Sequence, residues 1–213
     1  IGAESLSGQE ANAVDHLKIA FDAMRFTKVA TDRYGSIVGC IQGSRPGPRI
    51  LFDAHIDTVP VEGAADWEHA PFAGEIEDGK LYGRGTSDMK GALAAMTVAA
   101  SEFARSTHHD FAGSIYVAAV VCEELFEGLG ARSVAELIHP AFVVIGGASE
   151  MNLKIGQRGR AEVVVETTGI PAHSANPQKG VNAVTSMRKL LDEIDKLTPP
   201  HSDTLGDGIL VLT

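Results

Sequence analysis

The stretch Arg49-Ile50-Leu51-Phe52-Asp53-Ala54, running directly into His55-Ile56-Asp57, decides the fold. A short, largely apolar run without helical spacing is the pattern of a buried strand. It ends in an imidazole and a carboxylate rather than in a Gly- or Pro-rich turn. A second such run, residues 114–121, ends in Cys122-Glu123-Glu124. Between the two lies a helical pattern, residues 90–103, rich in Ala and Met and preceded by Asp88. Strands alternating with helices argue for an α/β fold with a mostly parallel sheet flanked by helices. In such sheets, sites form beyond the carboxyl ends of the strands. His55, Asp88 and the Glu123-Glu124 pair can therefore converge on one crevice although they are far apart in sequence.

Working outward, residues 9–24 show helical spacing, with Ser7 and Glu10 set as a capping box at its start. Two β-like runs follow, at 27–31 and 36–41, joined by Asp32-Arg33-Tyr34-Gly35. Residues 43–48 read as a turn. Residues 75–82 read as a hairpin about Asp78-Gly79. Further on come a helix at 129–138 and a strand at 141–145. The pattern restarts near Arg160: an alternating strand over 160–168, an amphipathic helix over 180–197, and a strand beginning at 209–213. The expected division is an α/β domain at 1–159, carrying the His55, Asp88 and Glu123-Glu124 crevice, and a partial α+β domain from 160 to 213.

Composition excludes several functions. At 213 residues with 44% apolar, the chain can bury a sizeable core, and its formal net charge of −10 argues against nucleic acid as the main partner. No apolar run is long enough for a transmembrane helix, and no membrane partner is expected. Residues 1–10 lack the basic and apolar regions of a signal peptide, and the chain begins with Ile. A cytoplasmic setting is expected. The two cysteines, Cys40 and Cys122, have no paired spacing and are expected to be reduced, buried thiols.

The residue types point to metal chemistry. Imidazole plus carboxylates without thiolate suits Zn²⁺ or a similar divalent ion. Carboxylates crowded in one crevice repel one another unless cations sit among them. A divalent ion lowers the pKa of bound water to about 7, and an adjacent carboxylate that is not a ligand can take that proton. Glu123 and Glu124 offer one residue for each task. Asp57 is placed to orient the His55 ring through its other nitrogen.

The strings LFDAHIDTVPV, LYGRGTSDMKGALAAM, VVCEELFEGLG, GQRGRAEVVVETTG and AHSANPQKGVNAV resemble, in order and spacing, the M20 metallopeptidase family. That family includes acetylornithine deacetylase and succinyl-diaminopimelate desuccinylase. The resemblance implies hydrolysis of an amide bond in N-acyl amino acids or small peptides at a site holding two divalent ions, Zn with Co or Mn as alternatives. It implies His55, Asp88 and Glu124 as metal ligands, Asp88 bridging, with a cis peptide after it. It implies Glu123 as general base and then acid, and Asp57 as the residue that orients His55. Residues from 160 would form a lid and homodimer surface. His173 would stabilise the oxyanion, Asn182 would contact substrate, and Arg158, with Arg160, would sit at the hinge.

Two departures stand out. Family members carry an acidic ligand where this chain has Gly147; Glu150 lies three residues later. The family's last ligand, a late His, belongs to a chain nearly twice as long. The expectation is a portion of a longer protein, inactive by itself. The alternative is a non-catalytic homologue that keeps the fold and dimer surface.

Overall fold

The computed structural model describes residues 1–154 and 156–213. The chain divides into two units, Ile1–Met151 and Asn152–Thr213. In the first unit the elements run α1 (Ala11–Ala23), β1 (Lys28–Thr31), β2 (Ile37–Gln42), β3 (Arg45–His55), a small hairpin β4–β5 (Ile76–Glu77, Lys80–Leu81), α2 (Gly91–Ser106), β6 (Ala112–Val120), α3 (Leu129–Ile138) and β7 (Phe142–Ile145).

The five-stranded sheet has the order β1-β2-β6-β3-β7. Strand β3 pairs in parallel with both β6 and β7, while β2 is antiparallel to β6 and to β1. Only β2 therefore runs against the other four, and the fold is mixed α/β with a mostly parallel sheet. Alternation along the strands feeds two cores. Ala54, Val117 and Ala119 pack with Phe21, Leu93 and Ala100 of α1 and α2 on one face. Leu51, Ala118 and Val120 pack with Val134 and Ile138 of α3 on the other. By the same period of two, Asp53 and His55 share the Leu51 face.

Several expectations are corrected. Residues 43–48 were expected as a turn, but β3 begins at Arg45 and passes through Pro46-Gly47-Pro48, with a register shift between Arg45 and Arg49. Pro can occupy a strand where its missing N–H falls at an irregularity. The Ser7–Glu10 capping box does not form: α1 begins at Ala11 with no side-chain cap, the Ser7 hydroxyl donating to Asp57 while Glu10 Oε1 accepts the N–H groups of Gly8 and Cys122. Cys40 is buried as expected, but Cys122 is only half-buried; both are free thiols.

In the second unit, α4 (Ala183–Ile194) is followed by a two-stranded ribbon, β8 (His201–Ser202) and β9 (Gly206–Asp207). Residues 160–168 and 209–213 were expected as strands and are not. Alternation makes a strand only where a neighbour supplies a ladder; among the described residues the pairings nearest these two segments are the single antiparallel bridge Ile170–Val181 and the two-residue β8–β9 ribbon. No helix of the described residues is long and apolar enough to cross a membrane.

Candidate metal centre

His55 is the last residue of β3, and its Cα pairs in register with Val120, the last residue of β6. Whatever follows each strand therefore emerges at the same end of the sheet. After β6 the chain turns sharply at Cys122, φ 57°, and presents Glu123 and Glu124. Asp88 arrives from a single π-helical turn, Thr86–Lys90, in which Asp88 and Met89 leave helical geometry and their peptide bond is cis. That turn is entered through Gly85 at φ +79°, where a Cβ would stand 2.6 Å from Thr58 Cγ2; only glycine fits both demands.

The outcome is a group of three. Ligand atoms of His55, Asp88 and Glu124 all lie within 4.8 Å of one another. His55 Nε2 is 3.0 Å from Asp88 Oδ1, and Glu123 Oε2 is 4.0 Å from the same nitrogen. His55 Nδ1 is 2.9 Å from the backbone carbonyl of Asp57 and 3.6 Å from its carboxylate. Asp57 is fully buried, and its carboxylate does most of its bonding elsewhere. Oδ1 accepts the Glu123 N–H at 3.0 Å; Oδ2 accepts the Glu124 N–H at 3.1 Å and the Ser7 hydroxyl at 2.7 Å.

The electrostatics follow from this wiring. Burial alone would lower the His55 pKa, but the bonds to Asp57 and Asp88 overcome it and raise it to about 9. Burial would likewise raise Asp57, yet the His55 ring, the Ser7 hydroxyl and the two amides hold it at about 2. Glu123 and Glu124 are both raised, first by burial and then by neighbouring carboxylates. Burial raises Asp53 to about 6.

This donor set fits a divalent cation. One imidazole and several carboxylates, without a thiolate, converge where their mutual repulsion needs a positive charge. Both His55 nitrogens face acceptors, so a cation at Nε2 takes the place of a proton, while Nδ1–H stays on the Asp57 carbonyl and fixes the tautomer. Glu150 stands outside the group of three, and a Cβ at Gly147 would meet nothing within 4 Å.

The remaining sequence candidates lie in the second unit. His173 is exposed in a loop, its Nδ1 accepting the Ala175 N–H at 3.1 Å. Asn182 caps α4, Oδ1 accepting the Thr185 N–H at 3.0 Å. Arg158 is exposed and donates to the Asp207 carbonyl.

Sequence reasoning missed four contributors. The Ser5 hydroxyl donates to Ile56 O at 2.7 Å, and Ser7 holds Asp57. Glu10 Oε1 accepts the Cys122 N–H at 2.9 Å. Asp53, 7% exposed, is a charged residue in the middle of a buried strand. The first three act across 50 or more positions, and the one local pattern among them, Ser7 with Glu10, points to a helix cap instead. Asp53 did leave one: an acid interrupting an apolar run.

Comparison with known proteins identifies the chain's relatives. The sequence profile of peptidase family M20/M25/M40 matches residues 51–206. The uncharacterized protein YgeY of Escherichia coli (strain K12) is 32% identical over 98% of this chain and 52% of its own length. Succinyl-diaminopimelate desuccinylase 2 of Ruegeria sp. (strain TM1040) is 30% identical over 88% of this chain and 50% of its own. The chain thus spans about half the length of the curated relatives it matches. Among solved structures, an M20 family metallo-carboxypeptidase from Sulfolobus solfataricus superposes with a TM-score of 0.65 at 19% identity, covering 89% of this chain and 46% of that one. A tripeptidase from Staphylococcus aureus superposes with a TM-score of 0.56 at 19% identity, covering 93% and 54%. The chain belongs to peptidase family M20/M25/M40.

Proposed function

We propose that this chain carries the N-terminal part of a metal-dependent hydrolase that cleaves an amide bond in N-acyl amino acids or small peptides. The observation that carries the reading is the convergence of His55, Asp88 and Glu124 with Glu123 beside them and outside that group. Two divalent cations, zinc with cobalt or manganese as alternatives, would be held by His55, Asp88 and Glu124; when bound they polarise the scissile carbonyl and acidify the attacking water.

The chain's own residues do the rest. Glu123 is partly exposed, with its pKa raised by burial, which suits it to take a proton from water and deliver it to the leaving amine. Asp57 fixes the backbone of Glu123 and Glu124 by accepting a hydrogen bond from each of their N–H groups, so base and ligand keep one spacing. His55 is oriented through the Asp57 carbonyl. The unit at Asn152–Thr213 would serve as lid and homodimer surface, with His173 stabilising the oxyanion and Asn182 and Arg158 near substrate. A cytoplasmic setting completes the reading.

The test is zinc binding by equilibrium dialysis together with hydrolysis of N-succinyl and N-acetyl amino acids by the protein that contains this chain complete. Zinc-dependent hydrolysis, lost in Asp88→Asn, is expected. A second reading, a non-catalytic homologue, is favoured by Gly147. Absence of both zinc binding and hydrolysis would establish it.

A further inference from the structure

Asp53 lies two residues before His55 on β3 and on the same face of the sheet. It is 7% exposed, and Oδ1 has no hydrogen-bond partner among the described residues. A buried carboxylate oxygen without a donor is costly and calls for an explanation such as an ion. The contrast with Asp57 is direct, since both oxygens of Asp57 are satisfied.

Its surroundings supply the explanation. Asp53 pairs in register with Ile145 of β7, and its carbonyl accepts the Gly146 N–H at 2.9 Å. Gly147 is two residues beyond Ile145, as His55 is two residues beyond Asp53. Just past the end of β7, Gly147 thus presents no side chain, and the space a Cβ would enter there is open. The crevice lacks an acid on β7 and has an unpartnered one on the neighbouring strand.

We propose that Asp53 is the fixed anion that serves the cation held at the His55 end of the crevice, compensating for the acidic side chain absent at Gly147. The proposal rests on the metal-hydrolase reading. Asp53 stands outside the group of His55, Asp88 and Glu124, so its role is to set the charge felt by the ion and thereby its affinity.

The experiment is Co²⁺ binding to the whole protein by calorimetry, with the cobalt visible absorption spectrum as a second readout and thermal unfolding of the metal-free protein as a third. The variants are Asp53→Asn, Gly147→Glu and the two combined. Asp53→Asn keeps the shape and removes the charge. It is expected to weaken Co²⁺ binding at least tenfold and alter the spectrum, without lowering the metal-free unfolding temperature; adding Gly147→Glu is expected to restore affinity. Unchanged binding in Asp53→Asn would overturn this inference while leaving the hydrolase reading intact. Weaker binding accompanied by a lower unfolding temperature would make Asp53 a structural residue and overturn it too. If the wild-type protein takes up no Co²⁺ and His55→Ala behaves the same, both the inference and the reading beneath it fail.

Discussion

His55 Nδ1 lies 2.9 Å from the backbone carbonyl oxygen of Asp57, and this bond decides which imidazole nitrogen faces the crevice. With Nδ1–H committed to a carbonyl, Nε2 is left for Asp88 or for a cation. In the metal-free chain both nitrogens face acceptors, and the ring is held as an imidazolium with a pKa of about 9.

Stability of the metal-free chain should therefore fall as pH rises. The folded pKa of His55 exceeds the unfolded value of about 6.5. Its contribution is complete below pH 6.5 and lost as pH passes 9. The loss expected is on the order of 2–3 kcal/mol, read by urea unfolding at pH 6 and pH 9.5 with a chelator present. His55→Gln should flatten this part of the profile.

Asp57 acts in the opposite direction. Its folded pKa of about 2 lies below the ordinary value of about 3.9. Its contribution is present above pH 4 and is lost as pH falls through 2. Asp57→Asn cannot accept at both former oxygens and turns one donor toward another, so it should cost about 2–4 kcal/mol at pH 7 and remove the acid-side slope. Urea melts at pH 7 and pH 3 measure both effects.

Glu123→Gln should separate chemistry from metal binding. In the protein that contains this chain complete, turnover is expected to drop by about 100- to 10,000-fold, while zinc per chain, measured by atomic emission, stays at the wild-type value. A fall in zinc would make Glu123 a ligand.

Two substitutions test the frame. A Cβ at Gly130 would stand 2.5 Å from Val120 Cγ1 and 3.0 Å from the Val121 carbonyl, so Gly130→Ala should push α3 off β6 and cost about 1–3 kcal/mol. Asn182→Ala should cost about 1 kcal/mol through loss of the α4 cap, and Asn182→Asp should retain it. Chemical denaturation monitored by circular dichroism reads each.

The strands that carry the site were legible because their side chains report burial directly: 49–54 and 114–121 are runs no exposed loop would keep. His55 and Glu124 were legible because each follows such a run, and Asp88 because it precedes the helical pattern between them; the structure brings their ligand atoms together. The segment at 43–48 was misread because Pro and Gly dominate local preference, whereas β3 tolerates them at a bulge. Residues 160–168 were misread because alternation fixes which side a residue would face, not whether a neighbour exists to bond. Ser7 and Glu10 were read as a local cap because Ser-x-x-Glu has that meaning within one turn. Glu10 does make one local bond, to the Gly8 N–H, but the other partners, Asp57 and Cys122, lie 50 and 112 positions away.

The Asp57 carboxylate knots three separate stretches of chain: the Ser7 segment, the end of β3, and the turn bearing Glu123 and Glu124. Such a knot makes the three stretches mechanically one. None of them can shift alone without breaking a hydrogen bond to a fully buried carboxylate, so any displacement at this end of the sheet has to carry the Ser7 segment, the end of β3 and the Glu123–Glu124 turn together.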